Sequence, residues 1–213
     1  IVRKMMAIIA HREGFGDLLA EGVLKACEAI GHGADKYLLA YKGMARAEAS
    51  RGTDVRKDLN TFALAWSLNF RGHGDRHRYP YIGATVDQKE GNIQAIQQLA
   101  GHLGIPEEEI KKQSDDPPQF VPWAMKYVED YNTVAYCLGL CDRPVILNAL
   151  SIDTMADMYN AATGLELSSE DLLRAGRRIW NLEKAWVTLQ GQRRKDDYPP
   201  ERFYREESKT LGG

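Results

Sequence analysis

Cysteine is scarce in this sequence, and long apolar runs are missing from it. The chain has three cysteines among 213 residues. An odd number, with Cys137 and Cys141 only one helical turn apart, argues against a secreted disulfide scaffold. No apolar stretch approaches the roughly 20 residues of a membrane-spanning helix, and no signal peptide opens the sequence. We therefore expect a protein of the reducing cytoplasm with no membrane span.

An excess of charge of either sign is also missing. The 28 basic and 30 acidic side chains nearly balance, so bulk electrostatics give the chain no preference for nucleic acid. No internal repeat and no low-complexity linker occurs. Ile1 is not a methionine and opens an apolar helical stripe, which predicts that the chain was cut from a longer protein.

Helical periodicity dominates what the sequence does contain. Ser151 and Ser168 are suited to capping two of the predicted helices, and Gly31 and Gly164 are suited to ending helices. One short apolar run, Tyr37 to Tyr41, is a candidate strand, so the predicted fold class is all-α with at most a minor strand. The predicted helices are Asp17 to Ile30, Leu59 to Phe70, Ile93 to Leu103, one starting at Pro106, Trp123 to Leu138, Ser151 to Thr163, and Ser168 to about Leu189.

The last of these helices is predicted to bury an apolar stripe that runs from Leu172 through Gly176 to Trp186. Glu183 lies within this stripe. A buried carboxylate needs a partner, and we expect Arg177 or another arginine to supply it.

The segment Leu138-Gly139-Leu140-Cys141-Asp142 follows the amphipathic stretch from Trp123 to Cys137. It puts a cysteine just after a helix and a glycine, where a thiolate and free backbone groups can face a cofactor. Thiolates suit iron–sulfur clusters, which need four of them. Spacing alone favours two ordinary intracellular cysteines over cluster ligands.

A second candidate is the polar loop from Arg71 to Tyr81, which is rich in glycine, arginine and histidine. Loops of this kind commonly carry function. His73 and His77 have the i, i+4 spacing of a zinc pair, but zinc would need a helical loop, which the glycines oppose, and further ligands. Solvent-exposed histidines are the other reading, and the arginines of the loop suit phosphate groups.

Five segments, in order and at roughly matching spacings, resemble the C-terminal half of the tungsten-dependent aldehyde:ferredoxin oxidoreductases. That family also includes the tungsten subunit of class II benzoyl-CoA reductases, and the resemblance covers nearly the whole chain. The segments are Arg12-Glu13-Gly14-Phe15-Gly16-Asp17-Leu18-Leu19-Ala20-Glu21-Gly22, Asp54-Val55-Arg56, Asn69-Phe70-Arg71-Gly72, Leu138 to Asp142, and Arg194 to Phe203.

The resemblance implies a multihelical fold like that of the family's C-terminal helical domains. Residues 1–45 would form the end of the second domain and residues 46–213 the third. The cofactor-binding N-terminal domain would lie upstream. The implied activity is oxidation or reduction of a small aldehyde, acid or thioester with ferredoxin or another electron carrier. A homodimer stays an open alternative. The intact protein would hold a tungsten or molybdenum bis-pterin and a [4Fe-4S] cluster, whereas we expect the isolated fragment to hold neither and to be inactive.

The resemblance also assigns roles near the cysteine. Cys141 would give the fourth cluster thiolate, and Gly139, Leu140 and Asp142 would line the pterin. The family has an aspartate where this chain has Tyr136. A phenol makes one hydrogen bond at a time as donor and cannot offer a bidentate carboxylate, so pterin recognition here departs from the family pattern.

Further roles follow for the loop and for an upstream pair. The family's proton-moving histidine matches His77 or His73, and we favour His77 because an acidic residue precedes it closely. Arg71 would contact cofactor phosphates. Asp54 and Arg56 match the family's Asp-Pro-Arg and would line the cofactor pocket, or form an ion pair that shapes its wall.

Two rival functions stay open. The first is a benzoyl-CoA-reductase-like subunit, which the arginine-rich loop and Tyr136 favour. The second is a non-catalytic helical module that kept the scaffold and lost the cofactor. Loss of the aspartate favours it, as does Val187-Thr188-Leu189-Gln190-Gly191 where the family tends to have Asn-x-Arg-Glu-Gly.

Overall fold

The computed structural model describes residues 1–38, 40–42, 44–45, 64, 67–70, 103–114, 117–140, 150–200 and 205–206. Helices dominate these ranges, which confirms the all-α prediction. The α-helices are α1 (Val2–Ala10), α2 (Phe15–Ala20), α3 (Val23–Ile30), α4 (Glu107–Ser114), α5 (Pro117–Cys137), α6 (Ile152–Thr163) and α7 (Ser169–Leu189), with 3-10 turns at Ala34–Tyr37 and Arg194–Asp197.

The minor strand is present but shorter than the run from Tyr37 to Tyr41 suggested. Strand β1 (Ala40–Tyr41) pairs antiparallel with β2 (Met44–Ala45), so that Tyr41 lies opposite Met44. Of the predicted helix from Leu59 to Phe70 the structure describes residues 64 and 67–70, and of that from Ile93 to Leu103 it describes only Leu103.

The N-terminal part consists of α1, α2 and α3. The sequence predicted one helix from Asp17 to Ile30, and this prediction is wrong: α2 and α3 are separate helices, and Gly22 between them has a φ of +99°. That backbone conformation cannot continue a right-handed helix and is open mainly to glycine. A second glycine, Gly16, lets α1 and α2 approach closely, because a Cβ there would overlap the carbonyl oxygen of Ile8.

The main core lies between α4, α5, α6 and α7. At its centre α7 crosses α5 at Gly176, where an added Cβ would lie 2.5 Å from the carbonyl oxygen of Asp130. The buried apolar residues are Leu103, Ile105, Ile110, Met125, Val128, Tyr131, Val134, Ala135, Ile152, Met155, Ala156, Leu172 and Leu173.

The sequence suggested that Arg177 pairs with Glu183. Arg177, which lies beside this crossing, does not make that pair. Its Nε donates instead to the buried Asp130 Oδ2, at 3.0 Å. Burial raises the pKa of Asp130 and the guanidinium opposes that rise. Glu183 is only half-buried.

Capping chemistry sets the ends of the last two helices, as predicted. Ser151 Oγ accepts from the Thr154 N–H at 3.1 Å, and Gly164 ends α6 in the left-handed region. Ser168 opens α7 with a capping box, because its hydroxyl accepts from the Asp171 N–H while that carboxylate accepts from the Ser168 N–H. Each serine satisfies an N–H that the helix leaves unpaired.

The apolar stripe that was predicted to be buried on α7 is not buried along its whole length. Leu172 and Gly176 are buried as expected, but Trp186 is 64% exposed, and Leu182 and Leu189 near it are exposed as well. The second half of α7 therefore extends beyond the core. Across the described ranges, no helix has the length and apolar character needed to cross a membrane.

Candidate functional site

The turn that ends α5 is the first part of the candidate site. The Leu140 N–H donates to the Ala135 carbonyl and the Gly139 N–H to the Tyr136 carbonyl, both at 3.0 Å. This pair of bonds is a Schellman motif, which requires a left-handed residue, and Gly139 has a φ of +70°. No atom of the described residues lies within 4 Å of a Cβ added to Gly139. Glycine is therefore needed for its conformation, and no described residue covers the outer side of the turn.

The described residues on either side of segment 141–149 are both fixed to the core. Leu140 packs against the apolar cluster. The Tyr131 hydroxyl on α5 donates to the Leu150 carbonyl, and burial raises the pKa of Tyr131 to about 12, which keeps this donor protonated. Cys141 and Asp142 lie in the segment between these anchors, outside the described residues.

Tyr136 lies on the side of α5 that points away from α7. The α7 contact is made by Asp130 and Val134, and Asn132 and Tyr136 are each two positions further on. At 100° per residue, Asn132 and Tyr136 lie about 200° around the helix from the side that contacts α7. Asn132 and Tyr136 therefore share one face, one turn apart, and that face leads to Gly139.

Asn132 carries an unsatisfied donor on this face. Its side chain is buried, at 8% exposure, and Nδ2 has no hydrogen-bond partner among the residues that the structure describes. A buried amide without a partner is costly, and a bound group with a hydrogen-bond acceptor would relieve that cost. Tyr136, by contrast, is 51% exposed. This face and the open turn fit a polar cofactor, although position 136 lacks the carboxylate that the resemblance leads one to expect.

A second part of the site lies where residues 67–70 meet the C-terminal segment. The Lys42 ammonium donates to the Asn69 carbonyl at 2.6 Å and to the Ser67 carbonyl, and it lies 2.8 Å from Asp197 Oδ1. Gln192 Nε2 donates to the Phe70 carbonyl at 3.4 Å. The described parts of two segments that carry the resemblance, residues 69–70 and 194–200, are thereby brought together.

The remaining predicted site residues lie outside the described residues. These are Asp54, Arg56, Arg71, His73 and His77, in addition to Cys141 and Asp142. Within the described ranges, no group of three or more histidine, cysteine or acidic side chains could hold a metal ion. Among the described residues, Cys27 is a free, half-buried cysteine, and Cys137 is exposed.

Comparison with known proteins decides the family. A family model described as aldehyde ferredoxin oxidoreductase, domains 2 and 3, matches residues 1–212. The chain belongs to the aldehyde ferredoxin oxidoreductase family. No solved structure gives a significant match.

Three archaeal relatives illustrate the similarity, and each is named a tungsten-containing aldehyde ferredoxin oxidoreductase. The protein of Pyrococcus horikoshii is 30% identical over 203 residues, that of Pyrococcus furiosus 29% over 200, and that of Thermococcus kodakarensis 28% over 201. In each case the match covers 93% of this chain and 28% of the relative. The chain therefore spans less than a third of the length of these aldehyde ferredoxin oxidoreductases.

Two residues of this site, Asn132 and Lys42, carry no signal in the sequence. Asn132 lies in the middle of an amphipathic helix, and nothing in the spacing shows that its amide is buried. Lys42 follows the apolar β1, and a lysine at the end of a short strand is usually solvated. Its burial depends on Asp197, near the other end of the chain, so no local signal points to it.

Proposed function

We propose that this chain is the C-terminal part of a tungsten-pterin, [4Fe-4S] oxidoreductase that acts on aldehyde or other oxo groups and exchanges electrons with ferredoxin. Residues 1–45 belong to its second domain and residues 46–213 to its third. The match to domains 2 and 3 of the family supports this proposal. The observation that carries it is the open Schellman turn of α5, which presents Gly139 and Leu140 directly before Cys141.

The residues of the turn have distinct roles in this proposal. Cys141 provides one cluster thiolate, a ligand type that suits iron–sulfur clusters. Gly139, Leu140 and Asp142 line the pterin, with no side chain at Gly139 to block close approach. Tyr136 offers a single hydroxyl in place of a carboxylate, and Asn132 offers an unpaired amide donor one turn below it.

Proton movement is assigned to the segment that follows Phe70. His77, or His73 in its place, holds a proton close to the reacting oxygen, since imidazole titrates near neutral pH. Arg71 contacts phosphate groups, and Asp54 with Arg56 lines the pocket. The bound tungsten-pterin and cluster supply the redox chemistry, and the protein groups orient the substrate and exclude water.

A cysteine pair provides the deciding experiment. In the full-length protein, purified without oxygen, Cys141→Ser should lower the iron content and abolish electron transfer, because a hydroxyl is a poor cluster ligand. Cys137→Ser is the matched control, four residues away in the sequence and exposed, and it should retain its iron. Equal iron in the wild type and in Cys141→Ser contradicts the assignment.

The two histidines are separated by the same approach. His77→Asn should lower kcat by about 10² to 10⁴, the usual contribution of general acid–base catalysis, with metal content unchanged. If His73 fills the role, the loss follows His73→Asn instead. Full activity in both variants removes the histidines from the site.

Tyr136 gives a specific reason to keep a second candidate, a benzoyl-CoA-reductase-like subunit. Tyr136 replaces the aspartate that the family uses to recognise the pterin, which favours a divergent branch of the family with its own substrate. Turnover of an aromatic acyl-CoA thioester, with none of simple aldehydes, supports this candidate. A full-length protein without iron and tungsten supports the non-catalytic binding module.

A further inference from the structure

Lys42 is a buried lysine whose ammonium has a full set of partners. Its side chain is 5% exposed. The three acceptors around Nζ are the carbonyls of Ser67 and Asn69 and the carboxylate of Asp197. An ammonium has three protons, so each can be directed to one acceptor. Because a buried charge is costly unless it is paired and hydrogen-bonded, this arrangement defines the position of the three groups relative to one another.

The backbone of Lys42 is also unusual. Its φ is +49°, in the left-handed region that residues with a Cβ seldom occupy. Such conformations persist where the surrounding contacts determine them, and they occur often at functional sites. Here the residue links β1 and β2, and its side chain crosses to residues 67–69.

The groups that Lys42 holds come directly before the candidate catalytic segment. Asn69 is followed by Phe70, which is fixed by Gln192 and by its ring contact with Trp180, at 5.5 Å between centroids. The next residue in the sequence is Arg71, and His73 and His77 follow it.

We propose that Lys42 is a positioning residue that fixes the backbone of residues 67–70 and thereby sets where the chain enters the segment carrying Arg71 and the histidines. The part of this inference that concerns catalysis rests on the proposed function. The anchoring of residues 67–70 does not depend on it.

Lys184 provides a matched control for a purely stabilising ion pair. Its Nζ lies 3.1 Å from Asp197 Oδ2, so it binds the same carboxylate as Lys42. Among the hydrogen bonds of the described residues, however, it donates to neither the Ser67 nor the Asn69 carbonyl. Loss of Lys184 removes one charge from the cluster and leaves the backbone anchor intact.

The experiment compares hydrogen exchange and kinetics in the full-length protein. In Lys42→Met, amide exchange in peptides covering residues 67–77 should be at least about tenfold faster, because the backbone of residues 67–70 loses the side chain that holds it and opens more often, while peptides of α5 and α7 keep wild-type rates. With an aldehyde substrate, kcat should fall about 10²-fold, the effect of a displacement near 1 Å, with KM and iron content unchanged. Lys184→Met should match the wild type in both measurements.

Each other outcome overturns a defined part of the proposal. Wild-type exchange at residues 67–77 in Lys42→Met refutes the anchoring, and equal acceleration in Lys184→Met assigns it to the ion pair in general. Faster exchange with unchanged kcat refutes the catalytic consequence. If Lys42→Met does not accumulate, Lys42→Gln must show the same local acceleration. If the wild type turns over no aldehyde, the proposed function fails, and exchange alone decides the role of Lys42.

Discussion

Replacing Gly176 by alanine tests the closest approach between α7 and α5. A Cβ at this position would lie 2.5 Å from the Asp130 carbonyl oxygen, 3.2 Å from the Asp130 carbonyl carbon and 3.0 Å from Val134 Cγ2. Ordinary van der Waals contact lies between 3.4 and 4 Å, so the helices must separate by about 1 Å. The nearest atom belongs to the backbone of α5, which cannot rotate away as a side chain would.

Two opposing effects determine the magnitude. Overpacking a core costs about 1–3 kcal/mol, and a clash with backbone belongs at the upper end of that range. Alanine in a helix interior is favoured over glycine by about 1 kcal/mol. We therefore expect Gly176→Ala to lower the free energy of unfolding by about 2 kcal/mol, which lowers Tm by about 4–8 °C for a chain of this size.

Calorimetry and urea unfolding of the purified chain measure this effect. Adding Val134→Ala should restore only part of the loss, because it removes the contact at 3.0 Å and leaves the one at 2.5 Å. A Gly176→Ala variant as stable as the wild type, or more stable, would mean that helix propensity outweighs the contact. The two helices would then not meet as described.

Three further predictions follow from local geometry. Gly139→Ala and Gly164→Ala, both at left-handed positions with open space around a Cβ, should each lower the free energy of unfolding by about 1–2 kcal/mol. Only Gly139→Ala should also lower the iron content of the full-length protein, and equal iron in both variants would show that the turn does not contact the cofactor. Ser168→Ala should cost about 1 kcal/mol through its lost cap, and an unchanged Tm would contradict the capping box. Burial acts to raise the pKa of Asp197, but hydrogen bonds from two lysines outweigh burial and hold the pKa below 3.8. The unfolded state therefore binds the proton first as pH falls, and the stabilisation of the folded state by this carboxylate is lost below that value. Asp197→Asn should therefore show a smaller fall in unfolding free energy between ~pH 5 and ~pH 2, and an identical fall would refute the ion pair.

The sequence predicted those features that depend on neighbouring residues. Ser151, Ser168 and Gly164 marked helix ends correctly, because capping uses side chains and backbone groups within one turn. The helix followed by a glycine turn before Cys141 was predicted for the same reason. The split at Gly22 was missed, because an apolar helical pattern continues across it and a single glycine within a helix is tolerated.

Features that depend on distant residues were not predictable in this way. The exposure of Trp186 depends on how far the core extends along α7, and periodicity shows only which side of a helix is apolar. The sequence suggested Arg177 as a partner for Glu183, and only the packing of α7 on α5 shows that Arg177 pairs with Asp130. The assignments of Cys141, His73, His77 and Tyr136 came from the family resemblance and stay predictions.

The Lys42 contact has a consequence for the order of folding. Its acceptors on residues 67–69 precede Asp197 by more than 120 residues in the sequence. A ribosome adds residues from the N-terminus, at about 5–20 per second, so the ammonium has no counter-charge from Asp197 until that later segment has been made. We therefore expect residues 67–70 to reach their final position only after translation of the segment around Asp197. Any cofactor that depends on this region would then be inserted after that segment has been made.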